Sequence, residues 1–274
     1  MQNVSWGFIS GDQSTDLGGD VSNFQNYARF YDLLYARKDY VQETRYVVDT
    51  LRKRQPNLKS IFELGCGTGG HARAFAGEGL DVFGIDISPE MIELARSKFA
   101  VRSGQGCFTC AVGNICDFQS GQTFDAAVSL FHVMSYLTTD GDFVCALSNA
   151  ASQIGAGGQF LFDVWHKESV LAQRPEARTR ELRDAHFRIC RTATPVHESD
   201  RDCVTIHYDM VCEDLEKRHT EKFSEKHVMR YFAPDDIARF ADQTGFKILE
   251  FHELITRKPA DKTTWAIAYL LQKM

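Results

Sequence analysis

Between residues 23 and 35 the large apolar residues Phe24, Tyr27, Phe30, Tyr31, Leu34 and Tyr35 recur at intervals of three and four. That spacing sets one stripe along a helix. A second helical pattern runs from Val41 to Arg54 and stops before Pro56, after which Ser60 to Leu64 reads as a short buried strand. A glycine turn at 65–70, a helix closing at Gly79 and a strand from Val82 to Ile85 follow. Ser88 is placed as an N-cap with Pro89 at the first helical position, and Met91, Leu94, Ala95 and Phe99 form that helix's apolar face. Further strands are predicted near Phe108 to Val112, Ala126 to Leu130 and Gln159 to Val164, with helical stretches between the last two. Strands alternating with helices in this way predict an open α/β sheet with parallel strands.

From Trp165 to Phe232 the period falls to two, most clearly at Val204, Ile206, Tyr208, Met210 and Cys212. This predicts an antiparallel insertion laid on the carboxyl edge of the sheet. Within Lys222 to Phe232, Phe223, Glu225, His227, Met229 and Tyr231 fall on one face and Lys226, Val228 and Arg230 on the other, so that one face is expected to line a pocket. Ala233-Pro234-Asp235-Asp236 opens a last helix with Ile237, Phe240 and Ala241 on one side, and Gly245 closes it. Strands from Lys247 to Ile255 and Thr264 to Leu271 complete the pattern. Residues 1–22 are polar and dotted with glycine, and are expected to form an arm ahead of a single domain, 23–274, that carries 166–232 as a lid.

Composition narrows the field of partners. At 274 residues and 31.0 kDa, with 43% apolar and 25% charged types, the chain can bury a large core without staples. Its 31 basic and 37 acidic residues give a net charge of −6, which offers no general attraction to a polyanion, so neither nucleic acid nor an anionic membrane is expected as a partner. No apolar run approaches the roughly 18 to 20 residues that span a bilayer, and no basic segment followed by an apolar one opens the chain, so a cytoplasmic protein is expected. The eight cysteines are scattered, and Cys107-x-x-Cys110 with Cys116 lacks a fourth ligand, so reduced thiols and no metal are expected. Monomer and homodimer both stay open.

The strongest local signal is Glu63-Leu64-Gly65-Cys66-Gly67-Thr68-Gly69-Gly70, directly after one strand and before one helix. Glycines there let the backbone approach a ligand closely and set helix N-terminal amides beside it, which implies a nucleoside-type cofactor. Gly65-x-Gly67-x-x-Gly70 also fits a dinucleotide fingerprint, and Asp86 ends the next strand where a carboxylate can accept both ribose hydroxyls. By this pattern alone NAD stays open. The acid at Glu63, the Gly65-x-Gly67-x-Gly69 spacing and a sheet that finishes antiparallel favour S-adenosylmethionine.

With Ile85-Asp86-Ile87-Ser88-Pro89-Glu90-Met91, Gly113-Asn114-Ile115-Cys116-Asp117-Phe118 and Phe124-Asp125-Ala126-Ala127-Val128-Ser129-Leu130 following in order, the chain from Tyr27 onward resembles the class I S-adenosylmethionine-dependent methyltransferases. The resemblance implies a Rossmann-like seven-stranded α/β sheet whose last strand is antiparallel, with the insertion over the active site. It implies that Gly65 and Gly67 line the methionyl part and ribose, with Glu63 near the amino group through water, and that Asp86 binds the ribose diol. Ile87 and Met91 are then expected against adenine, Ile115 on its other face, Asn114 at the adenine amino group, Leu130 in the same site and Tyr31 as a cover.

Methyl transfer from a sulfonium asks the protein to align nucleophile, methyl and sulfur and to exclude water. The helix over Phe24 to Tyr35 and the insertion from Trp165 to Phe232 are the segments shaped to supply a lid. In Leu130-Phe131-His132-Val133-Met134-Ser135-Tyr136-Leu137, His132 and Tyr136 stand four apart and are expected to share one face of a helical turn, as base or orienter. Trp165, His166, His227 and Arg230 are the expected substrate contacts.

Tyr31-Asp32-Leu33, Lys38-Asp39-Tyr40, Gly67-Thr68-Gly69-x-His71, Trp165, His207-Tyr208 and Glu225-x-His227 look like the N,N-dimethyltransferases of nucleotide-linked amino sugars. That likeness implies a small-molecule substrate and transfer to nitrogen or oxygen of a nucleotide-linked or glycan-building sugar. Where those enzymes place a histidine this chain has Tyr136, and where they place a serine it has His132. Arg174, Arg178, Arg180, Arg183, Arg188 and Arg191 could bind a substrate phosphate or carboxylate, or form a solvated face. A methyltransferase of RNA or protein, and a non-catalytic binder of S-adenosylmethionine, are the alternatives left open.

Overall fold

The apolar runs at Ser60–Leu64 (β1), Asp81–Asp86 (β2), Phe108–Val112 (β3), Phe124–Ser129 (β4) and Ile154–His166 (β5) pair in parallel, in the order β3-β2-β1-β4-β5. A computed structural model describes residues 27–99 and 106–274; the expected arm at 1–22 and Phe24 lie outside them. Phe246–Glu253 (β10) and Ala266–Lys273 (β11) extend the sheet, with β11 antiparallel to both β5 and β10. The core order is therefore β3-β2-β1-β4-β5-β11-β10, the seven-stranded α/β sheet that the sequence implied. β1 and β3 have their predicted bounds, the other core strands differ from theirs by one or two residues at an end, and β5 begins earlier, at Ile154.

Both faces of the sheet are covered, which explains the near-continuous apolar composition of its strands. On one face Phe62, Leu64 and Ile85 pack with Phe143 and Leu147 of Asp140–Gln153 (α5) and Ile237 and Phe240 of Pro234–Gln243 (α7). On the other, Ile61 and Val82 meet Val47 and Leu51 of Tyr40–Arg52 (α2), Phe75 of Gly70–Gly77 (α3) and Ile92 of Pro89–Lys98 (α4). The caps are local: Ser88 Oγ accepts the Met91 N–H at 3.2 Å, as its position predicts, and Thr139 Oγ1 accepts the Asp142 N–H at 3.1 Å. Within α4 the buried residues are Met91, Ile92 and Ala95, while Leu94 and Phe99 are only half-buried.

After Lys167–Gln173 (α6), the strands Arg178–Arg183 (β6), Phe187–Glu198 (β7), Cys203–Asp214 (β8) and His219–Phe232 (β9) form an antiparallel ribbon. Its last strand returns to the core. Pairing of β4 with β5 ends at Ser129 opposite Phe162, and Trp165 and His166 pair instead with Tyr231 and Phe232 of β9. The aromatic stripe of Ala28–Leu34 (α1) packs on this ribbon, where Phe30 and Leu34, with Tyr27 just ahead of the helix, meet Ile189, Met210 and Cys212. Asp32 ties α1 to the glycine turn by accepting the Thr68 hydroxyl at 2.7 Å, and pairs with Lys98 of α4. No helix among the described residues is long and apolar enough to cross a membrane.

Candidate active site

A cleft of about 380 Å³ opens at the carboxyl ends of the parallel strands, roofed by α1 and the ribbon. Its floor is the turn after β1. Gly65 has φ +75°, a conformation glycine adopts without strain, and a Cβ there would stand 2.5 Å from Cγ1 of Val133. Asp86, at the end of β2, is held against this turn: Oδ2 accepts the Gly67 N–H at 2.9 Å and Oδ1 the Ser88 N–H at 3.0 Å. Burial raises its pKa, and the backbone N–H groups of Ser88, Gly67 and Ile87 oppose that rise.

Ile87, Met91, Ile115 and Leu130 provide apolar wall, and Tyr31 closes the cleft from α1. Asn114 also lines it, with its side-chain oxygen accepting the Cys116 N–H at 2.9 Å. Glu63 does not line the cleft, because alternation along β1 turns it with Ile61 toward the α2–α3 face. There it is fully buried, Oε1 stands 3.9 Å from His71 Nδ1, Oε2 has no hydrogen-bond partner among the described residues, and burial pushes its pKa well up. A floor of close-approach glycines, a carboxylate at the strand end, apolar walls and an orphaned acid fit an adenosine bearing a cationic amino-acid tail.

After β4 the expected helical turn is found one residue late and as a 3-10 turn. Phe131 and His132 both have positive φ, 66° and 63°, and a 3-10 turn follows at Val133–Tyr136. His132 and Tyr136 both line the cleft, each with its own partner. His132 Nδ1 lies 2.6 Å from Oδ2 of the fully buried Asp163. The Tyr136 hydroxyl lies 2.8 Å from His227 Nδ1, and His227 Nε2 lies 3.3 Å from Glu225 Oε2. Burial, with the electrostatics of Tyr35, Tyr208, Glu225 and Asp86, holds the Tyr136 pKa far above the ordinary phenol value.

Of the expected substrate contacts, Trp165 and His227 line the cleft and His166 and Arg230 do not. Strand alternation is the reason: His166 follows Trp165 onto the opposite face, where its Nδ1 stands 3.2 Å from the Thr264 carbonyl oxygen. Arg230 likewise lies opposite Met229; it donates to Asp140 at 2.7 Å and lies over the Phe232 ring. In the arginine run, Arg174, Arg178, Arg180 and Arg183 are exposed and Arg188 pairs with Glu181, so these form a solvated face. Arg191 is the exception. It is buried, donates to the Tyr27 hydroxyl at 2.8 Å and lies 5.0 Å from the Tyr208 ring centre.

Several lining residues were given no place of their own in the site by the sequence, among them His71, Tyr35 and Trp265, and neither was Asp163, which stands behind His132. His71 Nε2 stands 2.7 Å from Glu43 Oε2, and Glu43 also takes Lys38 Nζ at 2.6 Å. Burial would raise the Glu43 pKa, but the hydrogen bond and charge of His71 and the Lys38 ammonium outweigh it and hold it below the ordinary carboxyl range. Asp163 carried a readable signal, as the single charge in the run Phe160-Leu161-Phe162-Asp163-Val164-Trp165 of a strand buried on both faces.

Residues 61–158 match the family described as a methyltransferase domain. Over 209 residues the chain is 28% identical to the dTDP-3-amino-3,4,6-trideoxy-alpha-D-glucopyranose N,N-dimethyltransferase of Streptomyces venezuelae, covering 76% of this chain and 84% of that one. Its fold is similar to an S-adenosylmethionine-dependent methyltransferase from Clostridium acetobutylicum, with TM-score 0.75 and 21% identity over 91% of this chain and 98% of that one. It is similar, too, to the sugar N-methyltransferase KedS8 from Streptoalloteichus sp, with TM-score 0.74 and 18% identity over the whole of both chains.

Proposed function

We propose that this chain, an S-adenosylmethionine-dependent methyltransferase, methylates the amino group of a nucleotide-linked amino sugar. The observation that carries the reading is the division of the cleft. One half is the glycine floor with Asp86; the other is a chamber of aromatic rings, Tyr27, Tyr35, Tyr136, Trp165, Tyr208 and Trp265. Ring faces attract an ammonium and its methylated forms through their quadrupoles, by about 0.5–2 kcal/mol per contact, and give nothing comparable to a neutral hydroxyl. That favours nitrogen over oxygen as the acceptor. The chain's resemblance to the Streptomyces venezuelae enzyme, whose name specifies a dTDP-linked amino sugar, supports the same class of substrate.

When bound, S-adenosylmethionine supplies a methyl group on a sulfonium, so that a C–S bond breaks as a C–N bond forms and the positive charge passes to nitrogen. In this reading Asp86 takes the ribose hydroxyls, Gly65 and Gly67 admit the methionyl part, and Glu63 acts on its amino group at one remove. Ile87, Met91, Ile115 and Leu130 enclose the adenine, with Asn114 at its edge and Tyr31 as cover. Trp165 and His227 bound the sugar, while His132 and Tyr136 flank the reacting nitrogen. Excluding water raises the strength of every polar contact inside the chamber. The test is incubation with S-adenosylmethionine and dTDP-3-amino-3,4,6-trideoxy-alpha-D-glucopyranose, read by mass spectrometry. Mono- and dimethylated amine is expected; product from the 3-hydroxy analogue and none from the amine would overturn the reading.

A further inference from the structure

We propose that His71 receives the ammonium group of the cofactor's methionyl tail through its Nδ1, with Glu63 behind it as counter-charge. The inference rests on S-adenosylmethionine as the cofactor and is independent of the sugar. An ammonium brings N–H donors and a positive charge, so its receptor must offer acceptors and must not be cationic.

Glu43 sets the tautomer of His71. Its carboxylate, held ionised against burial by the His71 hydrogen bond and the Lys38 ammonium, lies 2.7 Å from His71 Nε2. A carboxylate only accepts, so Nε2 carries the ring's hydrogen. Burial lowers the pKa of His71 against the opposing pull of Glu43, so the ring is neutral near pH 7 and Nδ1 keeps a lone pair. Tyr40 packs edge-on against the imidazole with ring centres 4.8 Å apart. Gly70 leaves it the room, since a Cβ there would stand 2.4 Å from Cε1 of Tyr40.

Nδ1 and Glu63 Oε1 then stand 3.9 Å apart, two acceptors with no donor between them among the described residues. Oε2 of Glu63 is unpartnered there as well, and His71 and Glu63 are both buried, at 5% and 1% exposure. Buried acceptors without donors are costly, and a guest rich in N–H removes the cost. Burial also pushes the Glu63 pKa well up, a rise that a neighbouring cation offsets. His71 lines the cleft and Glu63 does not, so the order from the cofactor inward is ammonium, imidazole, carboxylate. Glu43 and Glu63 set against Lys38 leave one negative charge, which selects the cationic end of the tail over its carboxylate. A water could donate to both acceptors without supplying charge, and the experiment separates these two guests.

The experiment measures binding by the full-length protein, so its outcome does not depend on whether the dTDP amino sugar is methylated. Calorimetry compares S-adenosylhomocysteine, which carries the same tail on a neutral sulfur, with its deaminated analogue and with 5′-methylthioadenosine, which has no tail. Wild-type protein should bind the first about 10–100-fold more tightly than the second, the worth of a hydrogen bond to a charged group. His71→Leu should lose most of that margin and hold 5′-methylthioadenosine as before. His71→Asn, whose side-chain oxygen can stand where Nδ1 stood, should recover part of it. Equal wild-type affinity for S-adenosylhomocysteine and its deaminated analogue would overturn the proposal, as would a loss in His71→Leu that is the same for all three ligands. A second measurement needs no variant. In wild-type protein ¹⁵N-histidine NMR should show His71 as the Nε2–H tautomer, and its Nδ1 resonance should move upfield with S-adenosylhomocysteine and stay in place with the deaminated analogue. The Nδ1–H tautomer, or an equal movement with both ligands, would overturn it.

Discussion

One oxygen of Asp163 stands against both the ring and the backbone of His132: Oδ2 lies 2.6 Å from Nδ1 and accepts the His132 N–H at 3.1 Å. His132 has φ 63°, a strained conformation for a side-chain-bearing residue, and the buried carboxylate holds that backbone through its N–H. Asp163→Ala should cost about 1–3 kcal/mol, measured by urea unfolding, because it strips a buried donor of its partner. Asp163→Asn should keep the fold and lower kcat more than it weakens cofactor binding. Wild-type stability in the alanine variant would show that the pair holds nothing in place.

Asp86→Asn should weaken S-adenosylmethionine binding about 10–100-fold by calorimetry, the worth of hydrogen bonds to a charged acceptor. The pH dependence has a definite sign. Ribose hydroxyls donate to the ionised carboxylate, and burial raises the Asp86 pKa above its ordinary 3.8, so affinity should begin to fall, on acidification, at a pH above that value. For folding the sign is opposite: a raised folded-state pKa favours the fold below the unfolded pKa, and that contribution is lost as pH rises through the folded one. The ligand-free Asn variant should therefore melt at or above the wild-type temperature near neutral pH.

Gly65→Ala should abolish measurable cofactor binding, since the left-handed backbone costs an L residue about 1–2 kcal/mol and the new methyl meets Val133. Val133→Ala in the same chain should restore part of the lost stability, giving a coupling of about 0.5–3 kcal/mol in a double-mutant cycle. Strict additivity would mean that the two residues do not touch.

Tyr27→Phe removes the 2.8 Å acceptor of the buried Arg191, whose Nε has no partner among the described residues. It should cost about 1–3 kcal/mol by chemical denaturation. Arg191→Met, which removes the buried charge, should make the further change Tyr27→Phe cost less than half as much.

The parallel core was legible in the sequence because strands buried on both faces must be continuously apolar and their turns must carry glycine. The cap at Ser88 and the carboxylate at Asp86 followed from local chemistry in the same way. What could not be read was contact between distant segments. Nothing near His132 announces Asp163, which lies 31 residues on in β5, and the consecutive left-handed residues Phe131 and His132 obey no local preference, so the helical turn expected from His132 starts only at Val133. Arg230 and His166 failed for a simpler reason. Both lie in strands, and period two turned them away from the cleft that their neighbours Met229 and Trp165 line.

Because β9 runs unbroken from His219 to Phe232 and its end is hydrogen-bonded to β5, the ribbon is a cantilever built into the core sheet, with no hinge at its root. Raising it would mean unzipping the strand that carries His227. On the other side of the chamber α1 is tied by polar side chains, Asp32 to Thr68 and Lys98 and Glu225 to the Tyr27 N–H, besides its apolar packing on the ribbon. The Asp32–Thr68 bond joins the helix to the glycine turn and the Glu225–Tyr27 bond joins it to the ribbon, so the same short segment ties the cofactor floor to the aromatic wall.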